Sequence, residues 1–314
     1  MTVPGTTLST EVSLKFRFGD WCIHVQRLAG SVLCQDFTSV PPAPAMSVKL
    51  DPDSQVLLMR ARPLPARLPL LDLTRDTIRY VPVQYLRHYV DLSGGFAVYV
   101  RKFSRRSRSE LQRKVRRFSE DSKVSPVWRE YRCPAEMPEF HRLARQVSKR
   151  SFQARLGVGL PVTEEFRSQL ASLAAQDSVR GFILFHGNRP AAYELCHANG
   201  GCLTGEHCGY DPEFARLSPG TVLLYCVLEH LFAQQSFARL DFGAGDAEYK
   251  ASFATGSVLC GDIYYFRKSR KNFCLVAAHC ALRGAWWCAA KTLDFVRLRR
   301  RLKKLLRRSD PREE

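Results

Sequence analysis

The sequence predicts an α+β fold in which a largely antiparallel, mixed sheet is flanked by helices. Three observations predict it: strand-like runs fill the first hundred residues, helical periodicity follows, and a strand meander then runs from residue 181 to 209. This order lacks the regular strand–helix alternation of a doubly wound parallel sheet. We expect three segments: a strand-rich region over residues 1–100, the main domain over 101–268 and a helical basic segment over 269–314.

The strand-rich region consists of short apolar runs separated by glycine, proline and aspartate. The runs LKFRF, WCIHVQRL, VLLMRA and GFAVYV between Leu14 and Val100 each predict a strand.

The helices that follow are predicted from their apolar spacing. Leu111, Val115 and Phe118 lie at i, i+4 and i+7, which gives an otherwise basic helix one apolar face. A strand is predicted at Val124–Tyr131, and two further helices are predicted, one beginning at Pro134 and one spanning Thr163 to Ala175.

The meander and its crossover follow directly. The predicted elements are strands at Gly181–His186, Ala191–His197 and Cys202–Gly209, a helix at Thr221–Gln234 and a strand at Ala238–Phe242.

The charge is concentrated in two places. The chain has 48 Lys and Arg residues against 30 Asp and Glu residues, a net charge of +18. Residues 101–117 hold nine basic residues and one acidic residue, and residues 297–308 hold eight basic residues and no acid. The rest of the chain is near neutral, which argues against a protein that coats nucleic acid along its whole surface.

The cysteines and the N-terminus indicate a reducing compartment. The eleven cysteines include no C-x-x-C pair, and His207 between Cys202 and Cys208 has no second ligand pair after it, so we expect free thiols and no metal site. No secretory signal precedes the first predicted strand, so a cytoplasmic protein is expected.

Residues 273–290 are the most apolar part of the chain. His279 and Arg283 interrupt them, so we expect a helix that packs on the body or lies at an interface, with Trp286 and Trp287 as anchors, and no single membrane pass.

Several catalytic motifs are missing from the sequence. No Walker loop, G-x-S-x-G or H-E-x-x-H is present, and Glu248 stands where the run from Gly243 would need a third glycine for dinucleotide binding. Nucleotide hydrolases, α/β-hydrolases and zincins are therefore excluded.

The first segment whose residues are suited to ligand binding is RLSPGT, from Arg216 to Thr221. Ser218 is suited to cap the following helix, Pro219 to its first turn, and Gly220 to the close approach of a ligand. The amides of a helix start beside Arg216 would bind an anion such as a pyrophosphate. The alternative is a well-capped helix that binds nothing.

The second segment is DFGAGDAEYKASF, from Asp241 to Phe253. Two glycines at a strand end free space near the backbone, and Asp246 is suited to cap the next helix. Tyr249 and Lys250 then project from its first turn, a placement that turn glycines and a cap do not explain.

These two segments, with YDPEF at 210–214 and the basic SRSELQRKVRR at 107–117, resemble the acetyltransferase family found in cellulose and exopolysaccharide loci. That family is a Fem-like branch of the GNAT acyltransferase superfamily. The resemblance covers residues 104–266. It implies a GNAT-like sheet and transfer of an acyl group from acetyl-CoA or another acyl-CoA to an amine or hydroxyl.

The resemblance also implies roles for the strands and the loop. In GNAT folds two central strands separate, and the thioester arm lies between them. Here Cys202–Gly209 would be the strand whose amide polarises the thioester carbonyl, and Ala238–Phe242 would be the other. Residues 216–221 would form the pyrophosphate loop, although only one of the family's spaced glycines is present.

Side-chain roles follow from the same resemblance. Tyr249 would protonate the departing thiolate, and Glu206 or Asp246 would take the proton from the acceptor. Glu194 and Lys250 would contact the substrate, with a surface salt bridge as the alternative for Lys250.

We expect a sugar, lipid-linked or amine acceptor in cell-envelope or exopolysaccharide synthesis. The basic amphipathic residues 295–308 would meet an anionic membrane at its inner face. The alternatives are transfer from aminoacyl-tRNA, as in Fem-like relatives, or a non-catalytic membrane-attached scaffold. Residues 14–100 would be a reduced second GNAT-like half.

Overall fold

The structure is a computed structural model that describes residues 11–19, 21–34, 48–123, 127–151, 159–245 and 247–295. It divides into two compact units, one formed by Met1–Tyr85 with Val258–Glu314 and the other by Leu86–Ser257. The three-segment division expected from the sequence stays a prediction.

The strands in chain order are β1 (Glu11–Phe18), β2 (Trp21–Cys34), β3 (Val56–Pro63), β4 (Leu71–Leu73), β5 (Thr77–Asp91), β6 (Val127–Tyr131), β7 (Val179–His186), β8 (Arg189–Asn199), β9 (Cys202–Tyr210), β10 (Arg239–Asp241) and β11 (Gly256–Arg267). The α-helices are α1 (Phe96–Arg101), α2 (Arg105–Ser122), α3 (Met137–Arg150), α4 (Glu164–Ala175), α5 (Pro219–Gln234), α6 (Glu248–Phe253) and α7 (Arg270–Phe295).

The first unit is built on strand pairing. β1 pairs antiparallel with β2, β2 pairs parallel with β3, and β3 pairs antiparallel with β11. Val12 and Leu14 on β1 are buried while their neighbours are exposed or half-buried, the period of two expected of a strand with one covered face. They join Leu58, Tyr80 and Phe266 in one core cluster.

Helix α7 packs on β1 within this unit. His279 Nε2 donates to the Lys15 carbonyl at 3.2 Å, and its Nδ1 accepts from the Tyr80 hydroxyl at 2.6 Å. Trp286 packs edge-on to Phe18. Burial lowers the pKa of His279, which favours the neutral ring in these contacts. The predicted helix that packs on its own body is confirmed.

The opposite face of α7 is apolar and exposed. Trp287 is 59% exposed, and residues 270–291 are long and apolar enough to cross a membrane by length and composition, with 17% of the apolar window buried. The expectation that this helix does not span a membrane stays a prediction.

The second unit contains the predicted mixed sheet. The end of β5 pairs antiparallel with β10, β10 pairs parallel with β9, and β9, β8, β7 and β6 follow in antiparallel order. The predicted α+β class and the largely antiparallel meander are confirmed.

Helices cover both faces of this sheet because successive side chains along its strands point to opposite faces and both sets are apolar. Phe182 and Cys196 point to the face where α2 and α5 pack, whereas Ile183 and Leu195 point to the face where α3 and α4 pack. Both sets are buried, which gives the three-layer arrangement that a sheet with two apolar faces requires.

One predicted strand is wrong. The run GFAVYV forms helix α1 rather than a strand. Phe96, Tyr99, Val100 and Phe103 share a helical spacing and pack on the same core as Phe232, so the tertiary contacts decide between two short-range patterns.

Candidate functional site

The two parallel strands of the second unit separate part-way along their length. Arg239–Asp241 of β10 pair with Cys202–Thr204 of β9. β10 ends at Asp241, whereas β9 continues to Tyr210, and among the described residues it has ladder partners only on its β8 side there. The edge of β9 that faces away from β8 is therefore open from Gly205 onward.

A β-bulge lies where the separation begins. Leu195 of β8 is opposite His207, but the next residue, Cys196, is opposite Gly205. Glu206 is the extra residue of the bulge, and its side chain is exposed. Bulges disrupt the ladder locally and redirect side chains, often beside active sites.

A glycine turn fixes the end of β10 against β9. A Cβ on Gly243, whose φ is +67°, would stand 2.5 Å from the Gly205 carbonyl oxygen, so only glycine fits there. The Gly243 N–H donates to Asp241 Oδ1 at 2.9 Å, and Arg87 on β5 donates to Asp241 Oδ2 through Nε at 2.8 Å. The fully buried Asp241 carboxylate is thus paired on both oxygens.

Lys250 on α6 is buried and faces this turn. Its ammonium donates to the Ala244 carbonyl at 2.6 Å and lies 3.4 Å from the Gly243 carbonyl. Burial lowers its pKa, and the Asp241 carboxylate offsets part of that effect. The alternative of a surface salt bridge for Lys250 is therefore wrong. Asp246 lies outside the described residues, and the N-cap position of α6 is Ala247.

Tyr249 lies over the open edge of β9. Its hydroxyl is 3.9 Å from Cys208 Sγ, and its ring packs edge-on to Phe242. Desolvation raises the pKa of the Tyr249 hydroxyl and of the Cys208 thiol, so both groups carry their protons at neutral pH.

Glu194 on β8 completes this cluster. It is the cross-strand neighbour of Cys208, and its Oε1 lies 3.4 Å from where a Cβ on Gly205 would stand. Desolvation raises the pKa of Glu194 to about 7, although the nearby Lys250 ammonium lowers it. The structure brings together Glu194, Tyr249 and Lys250 from the predicted set, with Cys208 between them.

Helix α1 holds the C-terminal end of α6. The Tyr99 hydroxyl donates to the Phe253 carbonyl at 2.8 Å, and the Lys102 ammonium donates to the Ser252 carbonyl at 3.0 Å and to the Ala254 carbonyl. A cation at a helix C-terminus meets the negative end of the helix dipole. Desolvation lowers the pKa of Lys102 to about 8.

Helix α5 begins at the end of β9, after a 3-10 turn at Pro212–Leu217. Ser218 occupies the N-cap position with φ 54° and ψ 48°, and its side chain makes no cap hydrogen bond. The predicted Ser218 cap is therefore wrong, because a capping hydroxyl reaches back from extended backbone and not from the left-handed region.

The first turn of α5 leaves an amide available. Within the described part of the chain, the Gly220 N–H makes no hydrogen bond, while the Thr221 N–H donates to the Ser218 carbonyl at 3.0 Å. Pro219 is buried, the turn contains no acidic residue, and a Cβ on Gly220 would stand 3.7 Å from the Tyr210 ring. The helix start has an unpaired donor and space in front of it.

The Arg216 guanidinium forms an ion pair with Asp121 in this structure. Its guanidinium donates to Asp121 at 3.0 Å, and the same carboxylate receives His186 at 3.0 Å. The Arg216 side chain is 68% exposed, so this ion pair is open to exchange with another anion.

Sequence reasoning missed Cys208, Arg87, Tyr99 and Lys102. Period-two alternation along β9 places Cys208 two residues after Glu206, a signal that was present. Arg87 and Tyr99 each contact partners 154 residues away, and no local pattern marks such pairs. No cluster of three metal-ligating side chains occurs among the described residues.

The arrangement of β9, β10 and α5 is typical of one class of fold. A mixed sheet whose two parallel neighbours separate beyond a bulge, with a helix beginning at the open end, is the architecture that the GNAT resemblance implied. Residues 105–251 match the family model described as "Acetyltransferase (GNAT) domain". This part of the chain is therefore similar to GNAT acetyltransferase domains.

Solved structures give more distant similarities. The chain is similar to the C-terminal domain of a putative lysylphosphatidylglycerol synthetase from Agrobacterium fabrum, with a TM-score of 0.44 and 11% identity over 64% of this chain and 66% of that one. It is similar to FemX with a TM-score of 0.41 and 11% identity, over 60% of this chain and 63% of that one.

An aminoglycoside acetyltransferase from an uncultured soil metagenomic sample, solved with sisomicin, has a TM-score of 0.32 and 14% identity, over 41% of this chain and 84% of that one. The chain spans just under two thirds of the length of the first two structures. No curated protein sequence matches the chain.

Proposed function

We propose that the protein transfers an acyl group from acetyl-CoA or another acyl-CoA to an amine or hydroxyl of a sugar or lipid-linked acceptor. The observation that carries this proposal is the open edge of β9, which runs from the Tyr249 hydroxyl toward the first turn of α5. A thioester arm and its pyrophosphate need those two features at opposite ends of one cleft.

The pyrophosphate would sit at the start of α5. The Gly220 N–H and the positive end of the helix dipole attract an anion there, and no acidic side chain of the first turn opposes it. Ser218, Pro219 and Thr221 shape the bend. Arg216 would exchange its Asp121 partner for the phosphate, because an exposed ion pair contributes little by itself.

The reacting end would lie beside the bulge. Backbone donors of β9 that β10 leaves unpaired would polarise the thioester carbonyl. The Tyr249 hydroxyl, which holds its proton because desolvation raises its pKa, would donate that proton to the departing thiolate.

A carboxylate must take the proton from the acceptor. The sequence candidates for this base are Glu206 and Asp246, and Glu194 and Lys250 are the candidates for substrate contact. Glu206 is exposed at the bulge, where an acceptor entering from solvent would meet it.

The proposal is tested by donor binding and by thiol release. Acetyl-CoA is expected to raise the melting temperature of the protein. Tyr249→Phe is expected to keep that stabilisation but to lower thiol release in a screen of amino sugars, ethanolamine and polyamines by roughly 10²-fold or more. No stabilisation by acetyl-CoA or longer acyl-CoAs, together with no thiol release, would refute the proposal.

A second candidate is transfer from aminoacyl-tRNA, which the exposed basic face of α2 favours. Arg106, Arg116 and Arg117 are exposed on this helix, and Arg113 is held by Glu110 at 2.8 Å. Phosphate contacts by such residues give affinities that fall steeply with salt. Charge reversal at Arg113, Lys114, Arg116 and Arg117 would abolish salt-dependent tRNA binding if this candidate is correct, and would leave acetyl-CoA stabilisation unchanged.

We place the enzyme in the cytoplasm at a membrane surface, where it would serve cell-envelope or exopolysaccharide synthesis. The exposed apolar face of α7, with Phe273 and Trp287, supports this location. The basic residues 297–308 that follow lie outside the described residues. Co-sedimentation with vesicles containing anionic lipid tests it, and co-sedimentation without any acyl-CoA binding would favour a scaffold.

A further inference from the structure

We infer that Glu194, rather than Glu206, is the catalytic base that removes the proton from the acceptor, an assignment that rests on the proposed acyl transfer. The two carboxylates lie on neighbouring strands but in different surroundings. The structure separates them by what each side chain faces.

Glu194 faces the reacting end of the cleft. It is opposite Cys208 in the β8–β9 ladder, and the Cys208 thiol is 3.9 Å from the Tyr249 hydroxyl. The Glu194 carboxylate also interacts electrostatically with Tyr249 and Lys250. Its Oε1 reaches the space above Gly205, which is the residue where β9 leaves β10.

Gly205 keeps that space open. A Cβ there would meet Glu194 Oε1 at 3.4 Å and the Asp241 carbonyl at 3.7 Å. With hydrogen at this position, the carboxylate has access to an atom seated between the separating strands. Glu206, by contrast, is the extra bulge residue, and its side chain is exposed.

The groups around Glu194 determine its proton affinity. The titratable groups that interact with it electrostatically are Cys196 on its own strand, Cys208 on β9, and Tyr249 and Lys250 on α6. Its cross-strand neighbour on β7 is the apolar Phe182. Glu206 and Asp241 act electrostatically on Cys196, and Arg87 pairs with Asp241.

These surroundings give a carboxylate that is useful as a base near neutrality. Desolvation raises the pKa of Glu194 to about 7, against the single opposing charge of Lys250. A base is most effective when its pKa lies near the working pH, because a large fraction is then deprotonated and still binds a proton strongly. Since only the ionised form accepts a proton, activity should rise as the pH increases through about 7.

The transfer step balances without a further reactant. The acceptor nitrogen or oxygen attacks the thioester carbon, and Glu194 takes the proton that this atom loses. The carbon–sulfur bond breaks, and the thiolate takes the Tyr249 proton, so the products are the acylated acceptor and free thiol. The Glu194 proton then returns through water to the Tyr249 oxygen.

The test compares three glutamine variants with the full-length wild-type protein. Glu194→Gln, Glu206→Gln and Glu229→Gln are assayed for thiol release from acetyl-CoA with the best acceptor of the screen, between pH 5.5 and 9. Exposed Glu229 on α5 is the matched control. Melting temperature with and without acetyl-CoA reports folding and donor binding independently of chemistry.

We expect Glu194→Gln to keep acetyl-CoA stabilisation, to lose at least 10²-fold in kcat and to lose the rise through pH 7. Glu229→Gln should keep both. The inference is overturned if Glu194→Gln keeps the pH-dependent rise, or if Glu206→Gln removes it instead. A wild-type protein that binds no acyl-CoA and releases no thiol overturns the proposed function itself, and the assignment with it.

A misfolded Glu194→Gln protein would be recognised by its melting temperature, and Glu194→Asp then replaces it. Aspartate keeps the negative charge, but its shorter side chain holds the carboxylate farther from the acceptor. It should therefore retain the rise with pH while kcat falls, and a kcat equal to that of wild type would overturn the inference.

Discussion

Helices α4 and α5 of the same unit begin in opposite ways. At α4, Thr163 has extended backbone, its hydroxyl accepts the Phe166 N–H at 3.3 Å, and two glutamates occupy the first turn. At α5, Ser218 is left-handed, its hydroxyl makes no cap bond, and the first turn contains no acid. The first turn of α4 is capped by its own side chains, whereas the first turn of α5 has neither a capping side chain nor an acid.

The difference extends to the surrounding electrostatics. The pKa of Glu165 is lowered by its hydrogen bonds to its own N–H and to the Thr163 side chain, so α4 already holds a carboxylate at its start. α5 instead begins where β9 has separated from β10. This helix start, with no acid in its first turn, is where we propose that the pyrophosphate of the donor binds.

The largest expected effect comes from supplying α5 with the acid that it lacks. Gly220→Asp has room, because its Cβ would be 3.7 Å from Tyr210, and an acid in a first turn stabilises a helix by about 0.3–1 kcal/mol. The same carboxylate repels a pyrophosphate, so acetyl-CoA affinity should fall at least ~30-fold, about 2 kcal/mol. Calorimetric titration and thermal unfolding measure the two effects.

Gly220→Ala is the control for this variant, since it adds a Cβ without charge and keeps the N–H. It should bind acetyl-CoA within about threefold of wild type, a change below ~1 kcal/mol. Equal loss of affinity in both variants would show that space, rather than charge, governs this position.

A smaller effect is expected at α4. Thr163→Ala removes a hydroxyl that caps the helix, which should lower the free energy of unfolding by about 1 kcal/mol and leave acetyl-CoA affinity unchanged. Urea unfolding followed by circular dichroism measures the change. An unaltered midpoint would mean that the α4 cap contributes nothing, and the contrast between the two helices would lose its energetic basis.

The smallest effect is expected at Ser218. Because its hydroxyl makes no cap bond, Ser218→Ala should change the free energy of unfolding by less than about 0.5 kcal/mol in the same urea experiment. A loss as large as that of Thr163→Ala would restore Ser218 as a conventional cap and would remove the asymmetry between the helices.

Local sequence patterns predicted most of the second unit because they are themselves local. The meander and α5 were predicted from period two, period 3.6 and the Pro-Gly step, and each lies close to its expected bounds. The run GFAVYV was predicted incorrectly, because its six residues fit both the strand period of two and the helix period of 3.6. The packing of Phe96 and Tyr99 on α5 favours the helix.

For the candidate site too, local sequence patterns identified residues but not the directions of their side chains. Tyr249 and Lys250 were identified by a motif, but the direction of each side chain depends on distant partners. Lys250 turns inward to carbonyls of the glycine turn, and the end of α6 is held by Tyr99 and Lys102. The surroundings of Glu194 depend on the β8–β9 register, which a single bulge at Glu206 shifts.

We expect a phosphate-bearing thioester to lie along the open edge of β9 and to end at the first turn of α5. Hydrogen–deuterium exchange measured with and without acetyl-CoA tests it most directly. Slower exchange on binding is expected at residues 205–210 and 220–222, with no change at the start of α4, residues 164–167. Protection confined to other segments, or no protection at all under saturating acetyl-CoA, would contradict it.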